Sequence, residues 1–275
     1  MLTKALDTIL FRSGMKRNIV LSINKIGQMM SSKDSVVRDN LESDSQSSSA
    51  SSTSSNDNQR QRNRNDNLVV CVEGNIGCGK TTLLEYFKTA SGCEILAEPV
   101  EKWRNVKGFN ALELMYQDPV RWGMALQTHV QLTMLQNHSK PMTEPVKLME
   151  RSIFSAKYCF TDNLFHSGKM PAIEHAILTE WFDWIIQSQN IKVDLFVYLR
   201  TDPELLYSRI KQRCRPEEEG IPLDYLRTLH QLHEEWLIHK KSPCPAEVLV
   251  IDANSSLEEM QIAYEFHKSK ILQRN

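Results

Sequence analysis

Long apolar runs are missing from this sequence. No stretch reaches the roughly 18–20 consecutive apolar residues that a membrane-spanning helix requires, which argues against a membrane partner. Cysteine is sparse and scattered. The six residues, at 71, 78, 93, 159, 214 and 244, include no Cys-x-x-Cys spacing, so they read as free thiols rather than a disulfide framework or a zinc site. Glycine, with 10 residues, is too scarce for a collagen-like or Gly-rich chain. Neither sign of charge dominates: 33 Lys+Arg stand against 34 Asp+Glu, and so even a balance argues against bulk nucleic-acid binding. What is left, 41% hydrophobic and 24% charged, is the composition of an ordinary soluble globular chain.

The charge is unevenly spread. Residues 1–66 hold 10 basic and 7 acidic residues, while 67–275 hold 23 and 27, which marks a tail attached to one folded unit. From Glu42 to Asp66 nothing is more apolar than Ala50, and nine of the thirteen residues from Ser43 to Ser55 are serine. Such a segment buries too little surface to offset its ordering entropy, so 34–66 is expected to be a disordered, Ser-rich linker. Residues 1–33 carry Lys4, Arg12, Lys16, Arg17, Lys25 and Lys33 against Asp7 alone, with Leu6, Ile9, Leu10, Ile19, Leu21 and Ile23 among them. That is the pattern of a mitochondrial transit peptide; no uninterrupted apolar stretch follows the first charges, as a secretory signal would need. It predicts a mitochondrial matrix address. A basic tail without an address, on a cytosolic or nuclear protein, is the alternative.

Residues 67–275 are enough for one sizeable core. Short apolar runs alternate in them with helical patterns. Strands are expected at Leu68–Val72, Ile95–Ala97, Val146–Met149, Leu195–Leu199 and Val248–Ile251. Helices are expected over Lys80–Thr89, Pro119–His138, Pro171–Gln189 and Leu223–His239, with one opened by a Thr201–Glu204 capping box and a last one capped by Ser255 and Glu258. This alternation predicts an α/β fold, a parallel sheet covered by helices, with ligands at the carboxyl ends of the strands.

The strongest signal follows the first strand. Gly74-Asn75-Ile76-Gly77-Cys78-Gly79-Lys80-Thr81-Thr82 is G-x-x-x-x-G-K-T, set between a strand and a helix as a phosphate loop must be. The glycines let the backbone wrap an anion with its N–H groups inward, and the helix N-terminus adds positive potential. Lys80 can reach the β- and γ-phosphates of a nucleoside triphosphate, and Thr81 can hold Mg²⁺. Neither Asp-x-x-Gly after the third strand nor Asn-Lys-x-Asp is found, which lowers a GTPase assignment.

A kinase of a small alcohol also needs a carboxylate for the acceptor hydroxyl, a cation for the developing charge and a further Mg²⁺ ligand. Glu98-Pro99 stands just past the second strand and Glu150-Arg151 just past the third, so these groups fall at one edge of the sheet. Arg209, Lys211, Arg213 and Arg215 crowd one helix end before Glu217 to Glu219. They are either a solvated helix terminus or a lid that closes arginines over phosphates. His230-x-x-His233-Glu234 matches no zinc-enzyme spacing, and its histidines are expected at the surface or boundary of a helix whose buried face is Leu226, Leu229, Leu232 and Trp236.

The phosphate loop, Glu98-Pro99-Val100-Glu101-Lys102-Trp103, Leu114-Met115-Tyr116, Met149 to Ala156 and the Arg213–Pro222 lid occur in this order. Together they resemble the deoxyribonucleoside kinases, most nearly the branch of mitochondrial thymidine kinases and insect multisubstrate kinases, from about Leu68 to about Asp252. The resemblance implies a five-stranded parallel sheet, a homodimer formed through a helix bundle, and transfer of the γ-phosphate of ATP, with Mg²⁺, to the 5′-hydroxyl of a deoxynucleoside. It makes Glu98 the base on that hydroxyl and Arg151 the group that holds hydroxyl and phosphoryl. Glu150 sits by Mg²⁺, or is itself the proton acceptor in another assignment; Glu98 is favoured as nearer the nucleoside. Tyr116 and Glu218 hold the 3′-hydroxyl, and Tyr116 disfavours a ribose. Gln127 reads the base, its amide offering both acceptor and donors. Trp103 and Phe160 wall the ring, with Met115 and Val130 lining the pocket. The deoxycytidine- and purine-preferring branch carries arginine and aspartate where this chain has Met134 and Ala156, so a pyrimidine preference, thymidine and deoxycytidine, is expected. Leu126 and His129 depart from the insect branch and bear on pocket shape.

Two other assignments compete. A nucleoside monophosphate kinase would line its acceptor site with arginines, whereas Glu98 suits a neutral hydroxyl. A non-catalytic scaffold on the same fold would show loss of the loop lysine or an acceptor carboxylate, but Lys80, Thr81, Glu98, Glu150 and Arg151 are all present.

Overall fold

The computed structural model describes residues 67–273 apart from 214, 216, 217 and 219. The expected transit peptide and Ser-rich linker lie outside the described residues. Five strands, β1 (Leu68–Glu73), β2 (Cys93–Leu96), β3 (Val146–Glu150), β4 (Leu195–Arg200) and β5 (Glu247–Asp252), form a sheet in the order β2-β3-β1-β4-β5. Every pairing is parallel. β1 and β3 are buried end to end, as parallel strands covered on both faces must be. Alternation then sends Val69 and Cys71 into one apolar cluster and Leu68, Val70 and Val72 into the other.

The helices between the strands are α1 (Lys80–Phe87), α2 (Val100–Arg104), α3 (Ala111–Gln117) and α4 (Pro119–Ser139). After β3 comes α5, which runs Ile153–Ser155, widens into a π-helical turn at Ala156–Thr161 and ends as Asp162–His166. Then follow α6 (Ala172–Ser188), α7 (Pro203–Arg213), α8 (Leu223–His233, running into a π-helical turn at Glu234–Ile238) and α9 (Leu257–Leu272). Asn110 and Asp118 cap α3 and α4 through their side chains, and Pro119 opens α4, where its missing N–H costs nothing.

Several expectations need correction. The Thr201–Glu204 capping box does not form. Thr201 Oγ1 is buried without a hydrogen-bond partner, and it is Asp202 O that accepts the first helical N–H, from Leu206 at 3.0 Å. The last helix is capped one residue later than expected, by Ser256 with Glu259, while Ser255 O accepts from Arg209. His233 is fully buried, not a boundary residue: α8 also packs behind the phosphate loop, and the ring stacks on Tyr198 with 6.0 Å between centroids. The short helices α2 and α3 and the rod α5 show no helical stripe in the sequence, because each is too short or too uniformly buried for one.

The chain leaves β1 for one edge of the sheet and returns through β4 on the other side. A crevice therefore opens at the carboxyl ends of β1, β2 and β3, where the phosphate loop, Glu98 and Glu150 emerge.

Candidate active site

The phosphate loop begins with a glycine that nothing else could replace. At Gly74 φ is +138°, and a Cβ there would stand 2.7 Å from Leu199 O. Asn75, the next residue, is buried; its Nδ2 donates to Leu226 O at 2.8 Å and its Oδ1 accepts from Ile76 N–H, which ties the loop to α8. Gly79 sits left-handed at φ 95° and hands the chain to α1. Lys80 Nζ lies folded against the loop, donating to Asn75 O at 2.8 Å and Gly74 O at 3.2 Å. Cys78 is buried, with its thiol 3.7 Å from Nζ.

Beyond β3 the chain makes a strained turn. Arg151 has φ 61°, a region that costs a non-glycine residue roughly 1 kcal/mol or more. Its N–H donates to Val72 O at 2.9 Å, and Ser152 then caps α5. This turn faces Glu150 toward α1, where Thr81 Oγ1 donates to Glu150 Oε1 at 3.0 Å. It also buries the Arg151 guanidinium, with Nε 3.0 Å from Glu98 Oε1 and the group stacked over Phe160 at 4.7 Å. Burial raises Glu98 above the ordinary carboxylate range and Glu150 adds to this, while Arg151 and Lys80 work against it.

One cavity of about 400 Å³ joins these groups. Gly77, Gly79, Lys80, Thr81 and Thr82 line its phosphate end, and Glu98, Glu150 and Arg151 its middle. Trp103, Met115, Tyr116, Gln127, Val130, Met134, Ala156 and Phe160 line the far end. Trp103 is held in place by its Nε1–H, which donates to Thr133 Oγ1 at 2.8 Å. Gln127 is buried and its Oε1 accepts a long bond from Thr161 Oγ1, 3.5 Å. Met134 and Ala156 are buried, so that part of the wall has no charge.

Not every anticipated residue reaches the cavity. Gly74, Asn75 and Cys78 shape the loop from behind. Arg209 lies outside, its guanidinium donating to Ala253 O at 3.0 Å and Ser255 O at 3.1 Å. Arg213 and Arg215 do line the cavity, but both pair with Glu218, which is itself buried. Val100, Arg104, Leu112, Ser152, Ser155 and Tyr225 line it without having been singled out. Arg104 and Leu112 lie on α2 and α3, the helices too short to show a stripe in the sequence. Tyr225, three residues past Pro222, carried a usable signal as an aromatic beside the lid. Burial raises its phenol to about 12.

Two carboxylates and an arginine converge in a cavity that the phosphate loop lines together with Trp103, Met115, Val130, Met134 and Phe160. That is the arrangement of a kinase acting on a small neutral acceptor. Residues 70–273 match the deoxynucleoside kinase family, and the chain belongs to it. It is 56% identical over 205 residues to the human protein "Thymidine kinase 2, mitochondrial", covering 74% of this chain and 77% of that one. It is 34% identical over 228 residues to deoxycytidine kinase 2 of Gallus gallus, covering 72% and 86%. With human deoxycytidine kinase the identity is 36% over 196 residues, covering 62% and 75%. No described helix is long and apolar enough to cross a membrane.

Proposed function

We propose that the protein transfers the γ-phosphoryl group of ATP to the 5′-hydroxyl of pyrimidine deoxynucleosides, thymidine and deoxycytidine, giving a deoxynucleoside monophosphate and ADP. The observation that carries this is that the phosphate loop, the Glu98–Arg151 pair and Gln127 line one and the same cavity. A nucleoside whose base lies against Gln127 would put its 5′-hydroxyl near Glu98. Glu98 takes the hydroxyl proton as the oxygen forms its bond to the γ-phosphorus, and ADP leaves with the electrons of the broken bond. Arg151 orients the hydroxyl and offsets the growing negative charge; Lys80 and the loop N–H groups do the same for the phosphates. Tyr116 and Glu218 would hold the 3′-hydroxyl.

Thr81 and Glu150 would hold Mg²⁺. Their side-chain oxygens already meet at 3.0 Å, and a single carboxylate with a hydroxyl suits a hard ion that completes its shell with phosphate and water. Held there, Mg²⁺ would supply positive charge to offset that of the triphosphate. Apolar Met134 beside small Ala156 accommodates the thymine methyl and offers no polar partner for a purine edge.

A mitochondrial role in DNA precursor salvage rests on the basic, acid-poor pattern of residues 1–33 and on the mitochondrial relative. A reporter fused to residues 1–66 tests it, and a diffuse cytosolic signal refutes it. A homodimer rests on α6, whose Ile173, Trp181 and Trp184 are 67%, 55% and 54% exposed in the single chain.

The enzymatic test is ADP release with Mg-ATP and each of thymidine, deoxycytidine, deoxyadenosine, deoxyguanosine and uridine. Turnover of thymidine and deoxycytidine above the others is expected. A folded, ATP-binding protein with no turnover of any nucleoside overturns the assignment, and turnover of purines alone overturns the base preference.

A further inference from the structure

The turn that presents Glu150 and Arg151 is held by a carboxylate with no part in the steps above. Glu73, the last residue of β1, is completely buried. Its Oε1 accepts from Ser152 Oγ at 2.5 Å, while Oε2 has no hydrogen-bond partner. Ser152 directly follows Arg151, whose left-handed backbone persists only where its surroundings over-determine it. Three contacts do so: Arg151 N–H to Val72 O, Ser152 Oγ–H to Glu73, and Ile153 N–H to His138 Nε2 at 3.2 Å. Glu73 is also one of the negative groups around the Arg151 guanidinium, after Glu98. Arg151 Nη1, like Glu73 Oε2, is buried without a partner.

We propose that Glu73 is a positioning residue, which fixes the Arg151 turn through Ser152 and, as a buried negative group, keeps the guanidinium beside Glu98 and over Phe160. This deepens the proposed function and rests on the role given there to Arg151. A buried carboxylate is a poor device for stability. Burial raises this one to about 7, although Arg151, Ser152, Ser155 and Lys80 all act to lower it. Its retention under the cavity is explained by what it holds.

The test is a double-mutant cycle on the full chain: Glu73→Gln, Arg151→Lys and both together, with kcat, the KM for thymidine and for ATP, and circular dichroism. Glu73→Gln can still accept from Ser152 but lacks the charge, so the assays are run at pH 8, above the value of about 7 to which burial raises Glu73. It should fold, keep its KM for ATP within about two-fold and lose roughly ten-fold or more in kcat, since small misplacements of reacting groups cost that much. In the Arg151→Lys background the same change should cost less than about two-fold, because both act along one route. A merely structural role for Glu73 gives equal losses in both backgrounds, and that result, or a wild-type rate in Glu73→Gln, overturns the inference. If Glu73→Gln does not fold, Ser152→Ala takes its place in the cycle, with the same outcomes. Wild-type turnover of thymidine with Mg-ATP separates the two claims: its absence removes the functional assignment and the inference together, and its presence with an undiminished Glu73→Gln removes only the inference.

Discussion

Arg151 Nε lies 3.0 Å from Glu98 Oε1, so the residue after β3 partly neutralises the residue proposed as base after β2. Burial outweighs this pairing and holds Glu98 above the ordinary carboxylate range. A base must be ionised to accept a proton. Activity is therefore expected to fall as pH drops through a value above 4.5, the unperturbed value for this group. The pH profile of kcat/KM for thymidine checks this, and an acid limb at or below the ordinary value counts against it. Glu98→Gln should lower kcat by roughly a hundred-fold or more, the usual scale for loss of a general base, with little change in the KM for ATP.

The base-recognition wall gives a second prediction. Met134 and Ala156 are both buried against the far end of the cavity. Met134→Arg with Ala156→Asp would place an ion pair where the thymine methyl is expected. The double variant should lose about ten-fold or more in kcat/KM for thymidine and retain relatively more for deoxycytidine or deoxyadenosine. Met134→Arg alone leaves a buried unpaired charge and should be less stable than the pair. An unchanged ratio of thymidine to deoxycytidine turnover would show that these positions do not read the base.

Much of this arrangement could be read from the residues alone, for reasons that differ by region. β1 and β4 were legible because parallel strands buried on both faces are short apolar runs, whereas the edge strand β2, only partly buried, begins at Cys93 and ends at Leu96 rather than spanning Ile95–Ala97. The phosphate loop was legible because its backbone conformation demands glycine at fixed places, as at Gly74. Glu98 and Glu150 could be placed at one edge because strand ends in such a sheet point the same way. What sequence could not supply was the direction of long side chains. Arg209 and Arg213 share a helix face, yet the first caps carbonyls at Ala253 and Ser255 while the second turns to Glu218. Helical spacing places His233 at the surface or boundary, wrongly, for the same reason: the burial of that face depends on β4 and Tyr198, which are distant in sequence. Glu73 does carry a signal in the sequence, as a charged residue closing an otherwise apolar strand.

The exposed face of α6 predicts the oligomeric state. Trp181 and Trp184 meet edge to face at 6.1 Å, with Ile177 and Ile173 on the preceding turns. Four large apolar residues along one helix are what a partner helix would cover. Light scattering at micromolar concentration should give a dimer. Trp181→Glu should give a folded monomer, because a carboxylate at the centre of an apolar interface is not tolerated. A wild-type monomer would remove the dimer, and a dimeric Trp181→Glu would move its interface elsewhere.

His233 and Glu73 make opposite contributions to the pH dependence of stability. Burial, reinforced by Arg151 and Lys80, lowers His233 from 6.5 to about 3, although its Nδ1–H bond to Leu229 O acts the other way. The folded protein thus keeps the ring neutral, while the unfolded chain takes up a proton below 6.5. The stability His233 provides is complete above 6.5 and is lost as pH falls from there toward 3. Glu73 is raised from 4.5 to about 7, so its contribution is present at low pH and is lost as pH rises through that window. Replacing each in turn separates them. In urea titrations between pH 5 and 6, His233→Gln should show a slope of stability against pH shallower than wild type by up to about 1.4 kcal/mol per pH unit, the value of one proton. His138, lowered to about 4, acts with the same sign and remains in both proteins, so the difference between them isolates His233. Parallel curves would mean that His233 is protonated in the folded state. A positive charge would then stand behind Lys80 and Arg151, and the electrostatics proposed for the phosphate end of the cavity would have to be redrawn.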